Sequence, residues 1–375
     1  MTLPSHPGSS RAEQESRFPG SYDVLRNAIA EHAFPGCAFG VLADGKVLLA
    51  DALGNFTYED DAPAVAPETL YDVASLTKVV STTSAAMLLY QRGLLDLDMP
   101  LGELLPGFVI GRDVSQHARR VSIRHLLAHN SGLPGYVPLF HTATTPFALL
   151  RDCLRLQIEA EPGTRAEYSD PGFILLGKAL EVILNEPLAA WVGREVFQPL
   201  GMLTSRYCPP PHLRASIPPT EEDELFRQRR IQGEVQDEHA YLLKGAGGHA
   251  GLFSNVPDLL RFSEEILKAG SEMRSTAKKP NLFDRATVEL FAQRQGPEGN
   301  SRALGWDTPS ANSSSGHHFS QHSIGHLGYS GCSLWIDLDA AIAVVLLTNR
   351  TWPSRQSDAI RAVRAAFHNA IREAL

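Results

Sequence analysis

The sequence predicts an α/β plus α protein: an antiparallel sheet flanked by helices, with a helical lobe inserted in the middle. Three observations carry this. Strand-type segments occur near both ends of the chain, in Cys37–Leu42 and Lys46–Ala52 and again in Ser333–Leu338 and Ala341–Thr348. Helical periodicity dominates the stretch between them. Amphipathic runs at each end, Tyr22–Ala33 and Asp358–Leu375, supply helices to cover a sheet. One sheet built from both chain ends satisfies all three. It divides the chain into a flexible tail (1–20), a discontinuous α/β lobe (21–72 with 296–375) and a mainly helical lobe with rim loops (73–295), the two lobes together one unit.

The elements follow in order. Residues 1–20 are polar and rich in Pro and Ser, the composition of a terminal tail. In Tyr22–Ala33 the apolar Val24, Leu25, Ile29 and Ala33 recur at helical spacing. Ala43-Asp44-Gly45 separates the first two strand runs and reads as a hairpin turn. Ser75–Arg92 reads as one long helix closed by Gly93, which accepts a left-handed cap. Asp96–Leu105 connects it to a short helix at Ser122–His129, closed by Asn130-Ser131-Gly132-Leu133-Pro134. Phe147–Ala160 and Pro171–Leu184 are helical. Residues 205–240 are rich in Pro and charge, show no sustained period, and read as an excursion around the rim. Pro257–Ala269 is a helix with Asn255 as its cap. Asp339 and Ala340 turn the second hairpin. No internal repeat is visible.

Composition narrows the function classes. The chain has 375 residues, 43% hydrophobic and 20% charged, which is ordinary for a folded protein. With 34 basic against 42 acidic residues the net charge is −8, which excludes a nucleic-acid binder with a basic footprint. Uncharged runs such as Val79–Gln91 and Ala340–Asn349 fall short of the ~20 residues a membrane helix needs. The N-terminus carries no apolar stretch of signal-peptide length. Cys37, Cys153, Cys208 and Cys332 are widely spaced and form no CxxC pair. The expectation is a cytoplasmic protein with reduced thiols.

The chemistry concentrates at Ser75-Leu76-Thr77-Lys78, preceded by Tyr71-Asp72-Val73-Ala74. A Ser and a Lys three apart on a helix face the same side. That places an amine beside a hydroxyl, which is a weak nucleophile until a neighbouring base takes its proton. A helix start adds backbone N–H groups that favour an oxyanion. Two further motifs follow downstream. One is Tyr168-Ser169-Asp170, after Glu161-Pro162-Gly163-Thr164 and before a helix. The other is Gly325-His326-Leu327-Gly328-Tyr329-Ser330-Gly331, before the last strand pair.

In this order the three elements resemble the SxxK, YxN and K/H-T-G motifs of the serine β-lactamase and penicillin-binding-protein superfamily. The chain is most similar to its class-C-like branch with esterases and D-aminopeptidases. Leu126-Leu127-Ala128-His129-Asn130-Ser131-Gly132-Leu133-Pro134 resembles the family's LLxHxSGLP, and Gly248-His249-Ala250-Gly251-Leu252-Phe253-Ser254 its GHAGLFS segment. The resemblance spans about residues 22–370 and implies a β-lactamase/transpeptidase-like fold. It implies Ser75 as the acylated nucleophile and Lys78 as its partner in proton traffic. Tyr168 is then base and later acid, with a phenol pKa lowered by the lysine charge. The N–H groups of Ser75 and Tyr329 would form the oxyanion hole. Gly328 and His326 take the third motif, with His326 hydrogen-bonding toward Tyr168 or a substrate carboxylate. No cofactor or metal is implied.

Two positions depart from the penicillin-recognising pattern. Asp170 stands where those members carry Asn, and a carboxylate accepts hydrogen bonds but does not donate them. His326 stands where they carry Lys, and a His near pH 7 is mostly neutral. With the acidic net charge, both disfavour penicillin carboxylates. The expected activity is hydrolysis of a small ester, amide or peptide, in a branch most like members linked to cell-wall fragment turnover. A true β-lactamase or D,D-carboxypeptidase is the alternative, and a non-catalytic sensor or scaffold is the alternative of another class.

Other motifs read as structural. Gly245-Ala246-Gly247-Gly248-His249-Ala250 fits GxGxxA but lacks a βαβ setting. His318, His322 and His326 are spaced by four in a polar rim loop, and His125 and His129 sit at a helix end without a third ligand. No GxSxG elbow occurs. Trp335 and Phe253 read as core, and Ser330 has no base at helical spacing.

Overall fold

The computed structural model describes residues 8–111, 116–271 and 281–375. Its centre is a five-stranded sheet in the order Lys46–Gly54, Gly36–Ala43, Ile342–Thr348, Ser333–Asp337, Ser323–Leu327, with every neighbouring pair antiparallel. The two ends of the chain meet where Gly36–Ala43 pairs with Ile342–Thr348, Phe39 opposite Leu346 and Val41 opposite Val344. Both strands are central and buried along their length. That is why they read as continuous apolar runs rather than alternating ones.

One face is covered by helices Pro19–Ala30 and Ile360–Glu373, which pack on each other and enclose Tyr22, Phe39, Trp335 and Phe367. The other carries helix Val256–Gly270, whose apolar side joins the sheet to the core of the helical lobe. A Cβ on Gly40 would sit 2.5 Å from Val256 Cγ1, so glycine lets this helix seat closely. At the first hairpin Asp44 and Gly45 have φ of 49° and 71°, the positive values a two-residue type I′ turn needs. Among the described residues, no helix is long and apolar enough to cross a membrane.

The fold class, both hairpins and the terminal helices match expectation; several other elements differ. The expected tail is ordered from residue 8. Ser10 and Glu13 form a capping box that starts a helix at Arg11–Arg17, and Gln14 Oε1 accepts the N–H of Ala50 at 3.0 Å, docking the helix on the sheet. Residues 1–7 of that tail lie outside the described residues. The single helix expected over Ser75–Arg92 is three pieces: a 3₁₀ turn at Ala74–Leu76, a π turn at Lys78–Thr83 and an α-helix at Ser84–Gln91. Ser84 Oγ donates to the Val79 carbonyl at 3.1 Å, and a side chain entering the ladder in this way widens the turn.

The helix expected to reach Ala160 stops at Arg155, because the Glu159 N–H is taken by the Gly132 carbonyl at 2.7 Å. The rim stretch holds a hairpin, Pro219–Asp223 with Arg229–Gln232. Charged residues on both strands hide its period. In place of the rim loop expected around His326 there is a strand, Ser323–Leu327, whose pattern is interrupted by glycine and histidine. Gly325 is required there, since a Cβ would meet the Trp335 ring at 2.3 Å.

Candidate active site

Ser75 sits on the 3₁₀ turn that follows strand Tyr71–Asp72. Ala74 before it has φ +47°, an uncommon conformation for a residue with a Cβ. The surroundings hold it there: Asp72 Oδ1 accepts the Ala74 N–H at 2.9 Å, and Thr77 Oγ1 donates to the Ala74 carbonyl at 2.6 Å. Lys78 follows on the π turn, fully buried, and its amine uses three donors. It reaches Ser75 Oγ at 3.0 Å, Asp170 Oδ1 at 2.7 Å and the His249 carbonyl at 3.1 Å. Burial works against the ammonium form, but the charge of Asp170 beside it outweighs the burial and holds the Lys78 pKa above its ordinary value.

Tyr168 and Asp170 flank Ser169, which caps helix Asp170–Leu184 by accepting the Gly172 N–H at 3.1 Å. The LLAHNSGLP segment cradles this start. The His129 ring packs on Tyr168 and Phe173, with centroids at 4.6 and 4.8 Å, and its Nδ1 accepts the Ser169 N–H at 3.0 Å. Burial keeps His129 neutral, far below its usual pKa. The Asp170 N–H donates to the Gly135 carbonyl at 3.0 Å. The Lys78 amine stands 4.8 Å from the centre of the Tyr168 ring. The Tyr168 pKa is raised, not lowered as expected: burial dominates, the Lys78 charge offsets only part of it, and Asp170 adds to it.

His326 lies on the edge strand, buried, with its ring 5.8 Å from that of Tyr168. Its Nδ1 engages the Leu327 carbonyl at 2.9 Å, and among the described residues its Nε2 has no partner, so the bond expected toward Tyr168 is not made. Burial, with the nearby charges of Lys78 and Arg302, holds it neutral. The chain then enters a tight turn in which the Gly328 N–H donates to the Cys332 carbonyl at 2.7 Å. Gly328 packs on the Ser75 segment so closely that a Cβ would lie 2.4 Å from the Val73 carbonyl. Ser330 Oγ donates to the Asp72 carbonyl at 2.7 Å. Arg364 clamps the turn from behind, donating to the carbonyls of Gly328 at 2.6 Å, Cys332 at 2.8 Å and Gly331 at 3.2 Å. Among the described residues, the N–H groups of Ser75 and Tyr329 have no backbone acceptor.

Ser75, Tyr168, Asp170, His326, Gly328 and Tyr329 line one cleft of about 990 Å³. Asp170, Asp237, Glu238, Asp307 and Asp358 supply carboxylates to it, and Arg302, Arg350, Arg355, Arg361 and Arg364 supply guanidinium groups. The acidic net charge of the chain is therefore matched by arginines at the cleft. Arg302 also stands 5.2 Å over the Tyr168 ring, and its closest carboxylate, on Asp307, is 3.9 Å away. No motif marks Arg302, which comes from an irregular loop.

The glycine-rich segment serves close packing rather than a dinucleotide. Gly248 abuts helix Asp170–Leu184, where a Cβ would be 2.3 Å from the Phe173 carbonyl, and Thr82 Oγ1 donates to the Gly248 carbonyl at 2.6 Å. The next residue thereby presents its carbonyl to Lys78. His318 and His322 pair outward with Glu373 and Asp339, away from His326. His125 belongs to a capping box with Ser122. Trp335 and Phe253 are core residues. A cluster that sequence spacing did not reveal joins Asp237 and His239 to His249, ten residues downstream of His239.

The comparisons agree with this geometry. The Beta-lactamase family model matches residues 23–367. An N-acetylmuramyl-L-alanine amidase of Bacillus subtilis (strain 168) is 30% identical over 349 residues, covering 84% of this chain and 77% of that protein. A putative D-alanyl-D-alanine carboxypeptidase of Salmonella typhi is 28% identical over 356 residues, covering 87% of this chain and 81% of its own length. Among solved structures, EstCE1, a hydrolase with promiscuous acyltransferase activity, superposes with a TM-score of 0.77 at 23% identity, over 96% of this chain and all (100%) of its own. A class C β-lactamase from Rhodobacter sphaeroides does so with 0.71 at 20% identity, over 94% and 99%. With its sheet built from both chain ends and its Ser, Lys and Tyr gathered beside it, this chain belongs to the Beta-lactamase family of serine hydrolases.

Proposed function

We propose that the protein hydrolyses an ester, amide or peptide bond of a small molecule through an acyl enzyme on Ser75. The observation that carries the reading is the position of the Lys78 amine, 3.0 Å from Ser75 Oγ and 2.7 Å from Asp170. At rest Lys78 is an ammonium and Tyr168 a neutral phenol, since both pKa values are raised. The reactive form is the one in which this pair has lost a proton. Ser75 Oγ then bonds to the substrate carbonyl carbon while its proton passes to the pair. The Ser75 and Tyr329 N–H groups take the oxyanion. Tyr168 returns the proton to the leaving group, and water repeats the sequence to free the acid.

Asp170 and neutral His326 favour acyl donors other than penicillins. Arg302 suits a donor with a carboxylate. The names of the relatives, an amidase and a putative carboxypeptidase, agree with a cell-wall peptide fragment as substrate. Four unpaired cysteines, three of them buried, support a reducing compartment and hence the cytoplasm.

The test is mass spectrometry after exposure to activated esters, D-amino-acid amides, β-lactams and a fluorophosphonate. A covalent adduct on Ser75 is expected, and Ser75→Ala is expected to lose at least about 10³-fold in turnover. An unmodified chain with every probe would favour a non-catalytic scaffold. Nitrocefin turnover that matches the ester rate would favour a true β-lactamase.

A further inference from the structure

We propose that Asp237, His239 and His249 form a binding site for one divalent transition ion of the zinc class on the wall of the cleft. One donor atom from each residue lies within 4.8 Å of the other two. Small side-chain movements bring such a set to metal bonds of about 2.0–2.2 Å. Two imidazoles and one carboxylate suit zinc or cobalt, whereas magnesium and calcium favour all-oxygen shells.

The protonation pattern points the same way. His239 is 1% exposed, and among the described residues its Nε2 has no hydrogen-bond partner. A ring nitrogen that meets no hydrogen-bond partner is free to present its lone pair to an ion. A buried ring nitrogen with no partner is otherwise costly. His249, also 1% exposed, places Nε2 2.7 Å from Asp237 Oδ1. That distance is an ordinary hydrogen bond. An ion displaces the proton, and the gap opens by about half an ångström to fit a tetrahedral shell.

The setting favours occupancy. Tyr136 and Phe140 pack against His239, with centroids at 5.7 and 5.6 Å, and fix its ring. Asp237 lines the cleft, which provides the entry path and an open position for water or substrate. The cluster is joined to the candidate active site through one residue, because the His249 carbonyl also accepts from Lys78.

The full chain, stripped with a chelator, is titrated with Co(II) and then with Zn(II). The expected result is one ion per chain, an intense visible absorption from tetrahedral cobalt, and its loss as zinc competes. His239→Ala is expected to weaken binding at least tenfold, with Asp237→Asn as the second variant if the first does not fold. Ser75→Ala is expected to bind the ion like wild type, which separates this site from the acyl-transfer reading. A wild-type chain that takes up neither ion overturns the proposal. So does undiminished binding in a folded ligand variant, which would assign the ion to exposed histidines.

Discussion

Asp170 is the carboxylate closest to the proposed catalytic amine. It sits 2.7 Å from the Lys78 amine and keeps that amine charged at rest. Replacing it with the amide found in penicillin-recognising members removes the charge and leaves burial to push the Lys78 pKa down. Asp170→Asn is therefore expected to move the acid limb of the kcat/KM pH profile to lower pH. It is also expected to raise acylation by nitrocefin about tenfold at pH 7, because an amide donates to a substrate carbonyl. A profile that stays in place would show that Asp170 does not set the charge of Lys78. Tyr168 teaches the complementary lesson. Its neighbour in the motif suggests a lowered phenol pKa, but the packing of His129, Arg302 and the cleft walls buries the ring, and desolvation wins.

The turn from Gly328 to Cys332 is the element on which the third motif depends. Arg364 supplies donors to three of its carbonyls, and Gly328 lets it lie on the Val73 carbonyl. Gly328→Ala pushes the turn off the Ser75 segment. It is expected to cut kcat about 10²-fold with a smaller change in KM, as the loss of one oxyanion donor does. A change confined to KM, read from steady-state kinetics, would argue that the Tyr329 N–H does no work in the transition state. A Cβ on Gly248 meets the Phe173 carbonyl at 2.3 Å, deep in the helical lobe. Gly248→Ala is expected to destabilise the fold by about 1–3 kcal/mol, measured by urea unfolding, as overpacking does. These elements were unequally legible. The hairpins and amphipathic helices follow from local pattern. The helix at Arg11 and the π turn at Lys78 depend on single side chains, the Ser10–Glu13 capping box and Ser84 Oγ, and the edge strand at His326 on its pairing with Ser333–Asp337, and no local period announces any of them.

Across the whole molecule, Asp72 ties the segment before Ser75 to the rim stretch at Gln236. Its buried carboxylate accepts the N–H of Ala74 at 2.9 Å and that of Gln236 at 2.7 Å. Burial raises its pKa to about 6, despite those two bonds. A raised folded-state pKa contributes stability that is complete below the unfolded value near 4 and lost as pH climbs through about 6. The shift of roughly two units corresponds to about 3 kcal/mol. Urea unfolding of wild type is therefore expected to lose stability between pH 4 and 7 relative to Asp72→Asn. Parallel curves would refute the assignment. Asp237, whose carboxyl is held below the usual range by His249 despite its burial, acts only on the acid side of this window.

Local sequence was sufficient to reveal the strand and helix types, the three motifs and the union of both chain ends in one sheet. Side-chain period and motif order are properties of neighbouring residues. The charge of Lys78, the neutral state of His326, the arginines of the cleft and the Asp237–His239–His249 cluster depend on distance and burial. Those quantities exist only once remote segments have packed together.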